Sequence, residues 1–500
     1  MSRLHGVETI ELDNGTVAIR TVRTAVIGLV GTAPDAAAGT AAAGRTGSQL
    51  TDNELLFSAK SAGVNGNTIN VVAVAGVPGD SGGAATGTPE SAVWAEENRT
   101  LTITLGCNAT GELVSTAKTV ADTINGLAGS PVTAKGTGDG LMTAFTIKLS
   151  GGTDEPFPLN VPVAVTGETQ KKLLGTSGTL DPALSEIFDQ EGALVIVVRV
   201  AQPAVIKGAK NADPAAELRA AVMDGIKALE DARALTTYQP RILIATGFSE
   251  DDAVAKALES TAAKLRGVAY VDSPSMATAQ SVILRRPSFG GRVELLRHRI
   301  ARTGSDGMIT YRPSSAVAAG LRARIDREKG WWWSKSNQPV MNIAGVEQVD
   351  SFALNDENCT ANLLNSEEIS TIIRYDGFRH WGNRLCSKHP QQSFESVRRT
   401  ADVIEDSIDE AMMPYMDKPL DAWVVGDIVG SVNSYMRGLK TLGAIHGGTC
   451  WPDAELNTAE TLAAGELYLN YDFGPKSPLE KLTMRVRINN NYALEELANV

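Results

Sequence analysis

TIIRYDGFRHWGNRLC, Thr371 to Cys386, is the stretch on which the reading of this chain turns, because the sequence pattern differs on its two sides. Ahead of it, from about 156 to 370, strands and helices alternate. ALVIVVRV (193–200) is a continuous apolar strand, RILIAT (241–246) a second and VAYV (268–271) a third. Between them Pro214 to Leu235 is an amphipathic helix, with Pro in its first turn and Leu218, Val222, Ile226 and Leu229 on one face; Asp251 to Leu265 is another. That alternation predicts a mostly parallel sheet covered by helices on both faces. Behind the stretch, from about 371, Phe394, Val397, Ala401, Ile404, Ile408 and Met412 recur at steps of three and four. This spacing predicts a helix buried on one side. Its other face, Asp402, Glu405, Asp406, Asp409 and Glu410, is acidic and reads as solvated or as facing another subunit. A second helix runs from about Pro419 to Leu442 and stops at Gly443. Two strands follow, in which Leu467, Leu469, Tyr471 and Phe473, then Leu482, Met484, Val486 and Ile488, alternate with polar residues. The last dozen residues form a tail.

The other end has a tail as well. Residues 1–24 carry little apolar mass but show strand-like alternation at Val17 and Ile19. Such a segment cannot bury itself and has to pair with something. AVIGLV (25–30) reads as a buried strand, and a Gly/Ala-rich linker follows from Ala36 to Gly47. From 48 to about 154 the texture changes: short β-branched runs (67–75, 100–105, 145–149) lie between Gly/Ser/Thr-rich turns, with one helix from Ser115 to Leu127. This predicts a compact β-rich domain inserted in a loop.

Composition sets outer bounds. Five hundred residues call for two to four domains, and 43% hydrophobic with 21% charged residues is ordinary for a folded globular chain. A net charge of −12 argues against a nucleic-acid or anionic-membrane partner. No apolar run approaches the ~18 residues of a bilayer span, and MSRLHGVETIEL lacks a signal-peptide core, so synthesis in the cytoplasm and no membrane insertion are expected. Cys107, Cys359, Cys386 and Cys450 are far apart and read as isolated thiols. The five histidines show no metal-ligand spacing, and neither a phosphate-binding P-loop nor GxGxxG after a strand occurs, so no metal, cofactor or catalytic residue is expected. PGDSGGA (78–84) contains the GDSGG string of chymotrypsin-like proteases, but only His5 precedes Ser81, so the string reads as a Gly/Ser turn. Arg285, Arg286, Arg292, Arg297, Arg299 and Arg302 form a basic cluster, solvated or facing an acidic neighbour, and Trp331 to Trp333 reads as a hydrophobic corner with one exposed ring.

Thr371–Cys386 closely resembles the start of the C-terminal domain of contractile tail sheath proteins from Mu-like and P2-like phages and R-type bacteriocins. The resemblance continues through PLDAWVVGDIVGSVNSYMRGLKTLGAI (419–445) and GELYLNYDFGPKSPLEKLTMRVRI (465–488), and HGVETIELDNGTVAIRTVRTAVIGLVGTA (5–33) looks like the family's N-terminal arm and first core strand. It implies an α/β plus α+β multidomain fold: an N-terminal arm (1–24), an α/β middle domain of subtilisin-like topology (25–47 and 155–370), a C-terminal domain (371–488) and a C-terminal arm (489–500). The insert at 48–154 departs from the family's minimal pattern and is expected on the outer surface. By resemblance the chain is a structural subunit that polymerises as stacked hexameric rings around a tail tube and contracts to drive the tube through a host envelope. Its partners are then further copies, the tube protein, and baseplate and tail terminator proteins; its place is the virion, after assembly in the host cytoplasm. Inter-subunit arm strands are expected at Val17, Ala18, Ile19, Arg20, Thr21 and Val22 and at Met484, Val486, Ile488, Tyr492 and Leu494, with hinges beside Gly15 and Gly28. Ser434, Arg437 and Lys440 are the candidate tube-facing residues. The rival readings are a serine hydrolase resting on GDSGG, and another structural component of a tail.

Overall fold

The computed structural model describes residues 18–81, 84–203, 213–304 and 306–498. The chain forms two compact units, one of residues 34–159 and 172–176, the other of the remaining residues.

The larger unit is built on an eight-stranded sheet. In chain order its strands are β1 (Ile27–Thr32), β2 (Pro162–Val165), β3 (Val195–Val200), β4 (Ile242–Ile244), β5 (Val268–Asp272), β6 (Val293–Leu296), β7 (Ile369–Arg374) and β8 (Phe378–Trp381). Their spatial order is β2-β3-β1-β4-β5-β6-β7-β8. The six inner strands run parallel, and the edge strands β2 and β8 are antiparallel to their neighbours. Inner strands need apolar residues on both faces, which is why Ile27–Thr32 is buried at all six positions. Successive residues of β1 point to opposite faces. Val30 lies beneath the close approach of Gly225 in helix α2 (Pro214–Ala228), and Gly31 beneath Leu180 at the start of helix α1 (Leu180–Gln190). Helix α3 (Asp252–Lys264) packs beside α2, and helix α4 (Ser315–Glu328) beside α1. The sheet is therefore covered on both sides.

Behind β8 come two long helices, α5 (Glu395–Met412) and α6 (Ala422–Leu442), and an antiparallel hairpin of β9 (Ile445–Pro452) and β10 (Leu469–Pro475). Val403, Ile404, Ile408, Val432, Met436, Leu439 and Ile445 form their shared core together with Trp331. A short helix, α7 (Asn491–Ala498), ends the described chain.

The smaller unit has its own core, including Phe57, Val71, Leu101, Ile103, Val120 and Ile124. A four-stranded sheet (Phe145–Lys148, Asn70–Ala75, Thr100–Leu105, Ser91–Ala95) and a three-stranded one (Ala41–Thr46, Leu55–Ala62, Val132–Lys135) enclose the helix Ala117–Gly126.

Several expectations need correction. Position 371 does not open a new domain: it falls inside β7, which pairs parallel with β6 as a full member of the large sheet. The linker expected at 36–47 contains a strand of small residues, with Ala42 fully buried against Leu55–Ala62, so the inserted unit is wider than 48–154. The 419–442 helix starts at Ala422, where the Asp421 side chain accepts from the Val424 N–H at 2.8 Å. Leu482–Ile488, expected as a strand, finds no ladder partner among the described residues. Gly28 is no hinge: it sits inside β1 between β3 and β4, and a Cβ there would meet Leu243 at 2.9 Å. Gly15 and Val17 lie outside the described residues.

Candidate functional site

The most buried polar feature of the larger unit is a cluster of charges. Six ionised side chains meet between the sheet, α4 and α5, and three are of each sign: Lys335, Arg322 and Arg399 against Glu294, Glu395 and Asp326. All are buried, and Lys335, Glu294 and Arg322 wholly so. Such charges are tolerated only when each is paired and hydrogen-bonded. Lys335 Nζ contacts Glu294 Oε2, reaches Glu395 Oε2 at 2.6 Å and Tyr270 Oη at 3.2 Å, and lies 4.3 Å from the Tyr270 ring centre. Glu294 also accepts from the Ser370 hydroxyl at 2.7 Å and stands 3.0 Å from His380 Nε2. Burial works against charge on Glu294, yet Lys335 and the His380 contact hold its carboxyl down at about 2. Burial likewise opposes charge on Asp326, and Arg399 and Arg322 more than offset it. The Tyr270 phenol is pushed up by burial and by Glu395 and Glu294, so it stays protonated and donates to Glu395.

The root of the N-terminal arm hangs on this cluster. Arg399 grips Asp326 with two bonds (2.8 and 2.6 Å) and donates a third, of 3.0 Å, to the Thr24 carbonyl. Of the expected arm-strand residues, Ala18, Ile19, Arg20, Thr21 and Val22 are in no helix or strand and lie on their own C-terminal helices. The Val22 N–H donates to Ser407 Oγ at 3.1 Å, the Thr21 and Tyr435 hydroxyls are 3.2 Å apart, and Ile19 and Val22 pack against the α5–α6 core.

The acidic face of α5 is solvated only at its end, where Asp409 and Glu410 are exposed, and its acids find arginine partners within the subunit. Asp402 pairs with Arg292 and Arg398, and Asp406 with Arg241 and Arg266. Arg266 also reaches Asp409 at 2.6 Å, and Arg233 reaches Glu410 at 2.8 Å. The stripe therefore fastens α5 to its own α/β sheet. The basic cluster is spent in the same way, with Arg285 on Asp252, Arg286 on Glu368, Arg297 on Asp350, Arg299 on Glu250 and Arg302 on Asp189.

The other end of the chain is unsatisfied. After β10 the segment is held by a two-pronged Arg384–Glu480 contact (2.8 and 2.6 Å). Met484, Val486 and Ile488 are then 83%, 90% and 94% exposed. Tyr492 and Leu494, expected in a strand, belong to helix α7, where NYALEELA is rich in good helix formers. They are also exposed. The β9–β10 hairpin has no third strand among the described residues; α6 engages the β9 edge, where Asn433 bonds both backbone groups of Cys450 (2.7 and 2.9 Å), and the outer edge of β10 has no ladder partner there.

The three tube-facing candidates do not share one setting. Ser434 lines a groove of about 350 Å³ with Ala18, Ile19, Thr21 and Tyr435, while Arg437 and Lys440 are exposed further round α6. Gly79–Ser81 of the GDSGG string pair with Ala84–Thr86, Gly82 and Gly83 lie outside the described residues, and the unit that carries the string contains no histidine. Among the described residues no cluster of His, Cys, Asp and Glu could hold a metal ion, and no helix is long and apolar enough to cross a membrane. The buried charge cluster escaped the sequence reading. Its local signals were an acid inside the apolar strand VELL and the four-residue spacings Arg322–Asp326 and Glu395–Arg399.

The family model for the phage tail sheath protein central domain matches residues 221–385, and that for the phage tail sheath C-terminal domain matches 387–489. The tail sheath protein of Escherichia phage P2 is 36% identical over 361 residues, covering 69% of this chain and 89% of its own length. That of Burkholderia phage BcepMu is 32% identical and covers 98% of each chain. Among solved structures, a chain of the contracted anti-feeding prophage baseplate aligns over 67% of this chain and 91% of its own, with a TM-score of 0.56 at 20% identity, which shows a shared fold. The paired domain matches and the full-length likeness to a known sheath protein place this chain in the phage tail sheath family, as a structural subunit of a contractile tail.

Proposed function

We propose that the chain polymerises as stacked hexameric rings around a tail tube and contracts to drive the tube through a host envelope. It uses no catalytic residue, metal or cofactor and binds neither nucleic acid nor membrane. Its partners are further copies, the tube protein, and baseplate and tail terminator proteins, met first in the host cytoplasm and kept in the virion. One observation carries this reading: alternating apolar residues at Met484, Val486 and Ile488 stand in solvent on a chain whose terminal hairpin keeps an outer edge, that of β10, without a strand partner among the described residues. A loose strand and an open edge favour addition of one chain to another's sheet, and a head-to-tail exchange builds rings and helices instead of closed dimers. At about 0.5–1.5 kcal/mol net per hydrogen bond, a handful of bonds gives several kcal/mol per junction. Neighbours so joined stay linked while subunit bodies rotate. The energy released on contraction is stored at assembly as a kinetically trapped lattice.

The middle domain takes the family's subtilisin-like topology, and the inserted unit sits on the outer surface, clear of the tube. The P2 relative, matched over 89% of its length, covers only 69% of this chain, which supports an addition that the machine can spare. Electron microscopy tests the linkage. The full chain is expected to form wide cylinders, and a chain lacking both 1–17 and 476–500 to remain a folded, unassembled subunit. Full-length, contractile cylinders from the doubly clipped chain would end this reading.

The tube contact falls to the exposed end of α6. Arg437→Glu with Lys440→Glu is expected to leave cylinders of the sheath protein alone intact and to abolish their formation on tubes. Normal sheathed tails from that double variant would remove the assignment.

A further inference from the structure

We propose that Arg399 is a positioning residue that fixes the root of the N-terminal arm to its own subunit, so that residues 18–24 move with the subunit body and are not the strand lent to a neighbour. The inference rests on the arm-exchange reading above and narrows it. Four contacts hold this short segment. The Thr24 carbonyl accepts from Arg399 at 3.0 Å, and the Thr21 and Tyr435 hydroxyls are 3.2 Å apart. The Val22 N–H donates to Ser407 at 3.1 Å, and Ile19 with Val22 covers the apolar core of α5 and α6. Just beyond, the Val26 carbonyl accepts from the Arg241 N–H at 2.8 Å, and β1 begins at Ile27 in the middle of the sheet. No stretch between Ala18 and β1 is left free to swing. Ser407 is itself fixed, because its hydroxyl donates to the Val403 carbonyl at 2.6 Å.

Arginine suits the task for a geometric reason. A planar guanidinium can close two bonds on one carboxylate and still aim a third N–H elsewhere, whereas a lysine ammonium acts as a point charge and holds one partner well. From Arg399 the connection continues without a gap through Asp326, Arg322, Glu395 and Lys335 to Glu294 in β6. A pull on the arm is thereby delivered to the sheet and not to a loop. Whatever length of arm a neighbour receives must come from residues numbered below 18.

Hydrogen–deuterium exchange on the full chain, read in peptides covering Thr21 to Val26, tests this. In the unassembled wild-type subunit these peptides are expected to be protected already, and their rates to change little on forming cylinders. In Arg399→Lys their exchange should rise roughly fivefold to thirtyfold, the effect of losing one or two such bonds, while peptides from α6 and β3 keep their rates. If Arg399→Lys does not fold, Ser407→Ala carries the same test, with faster exchange confined to Val22. Free exchange of Thr21–Val26 in the unassembled subunit, with protection appearing only in cylinders, would overturn the proposal. So would unchanged local rates in both variants. Because the reading is made on the unassembled subunit, a wild-type chain that forms no cylinders would count against the exchange of arms and leave the anchor standing.

Discussion

Replacing Lys335 with methionine is expected to cost about 3–5 kcal/mol, the penalty for breaking a buried ion pair from one side. Urea unfolding of the unassembled subunit at neutral pH measures it. The size follows from what the substitution leaves behind. Glu294 and Glu395 both face the vacated position, neither has access to water, and of the remaining cations Arg399 is engaged with Asp326 while Arg322, also on Asp326, reaches Glu395 only at 3.8 Å. Removing Glu294 at the same time, as Lys335→Met with Glu294→Gln, restores equal numbers of positive and negative charges and should recover at least half of the loss. The pH dependence has a definite sign. Glu294, Glu395 and Asp326 are held below their ordinary values, so the stability they contribute is full above pH about 4.5 and is lost as pH falls through their folded values, for Glu294 about 2. The methionine variant lacks the cation that depresses the two glutamates, so its deficit should shrink below pH about 4. A deficit under ~1 kcal/mol at neutral pH, or one that grows in acid, would show that Lys335 does not hold the joint.

What the sequence disclosed and what it hid divide along sequence distance. The helix at 394–412, the strands near 195, 242 and 268 and the β-rich insert are all written in neighbouring residues, through periods of two and 3.6. The Trp331–Trp333 corner is legible in the same way: Trp331 is buried at 8% exposure and Trp333 stands at 50%. Pairings between distant residues leave no such trace. Asp402, Asp406 and Glu410 looked like a solvated stripe because the arginines that neutralise them, at 292, 241 and 233, are more than a hundred positions away. Thr371 looked like the start of a domain because the change in pattern comes there, whereas the sheet that β7 completes began some 340 residues earlier, at Ile27. For Met484 to Ile488 the alternation is genuine, but no strand among the described residues pairs with it. An intact strand signal without an internal partner is itself what a donated strand would leave.

Reversing one charge in the α5 ladder separates a joint within the subunit from a contact between subunits. Asp402→Lys is expected to destabilise the unassembled subunit by about 3–5 kcal/mol, comparable to Lys335→Met. The Asp402 side chain is 3% exposed and is shared by Arg292 and Arg398, so the variant would force a third cation into a site whose one neighbouring acid among the described ion pairs, Glu405, reaches Arg398 and is shared with Arg266. Exchanging the partners, Asp402→Lys with Arg292→Asp, should return much of the stability, because the new pair spans the same gap between α5 and the residue preceding β6. Both measurements belong on the unassembled subunit. An acidic stripe that served only to match a neighbouring copy would leave the unfolding of Asp402→Lys unchanged and show its effect in cylinders alone. The pairing seen here predicts the reverse order: stability of the subunit falls first, and assembly fails because the body that carries the arms has loosened. Contraction as proposed requires such a body, since arms can pass motion from copy to copy only if the sheet, α5 and the arm root turn together.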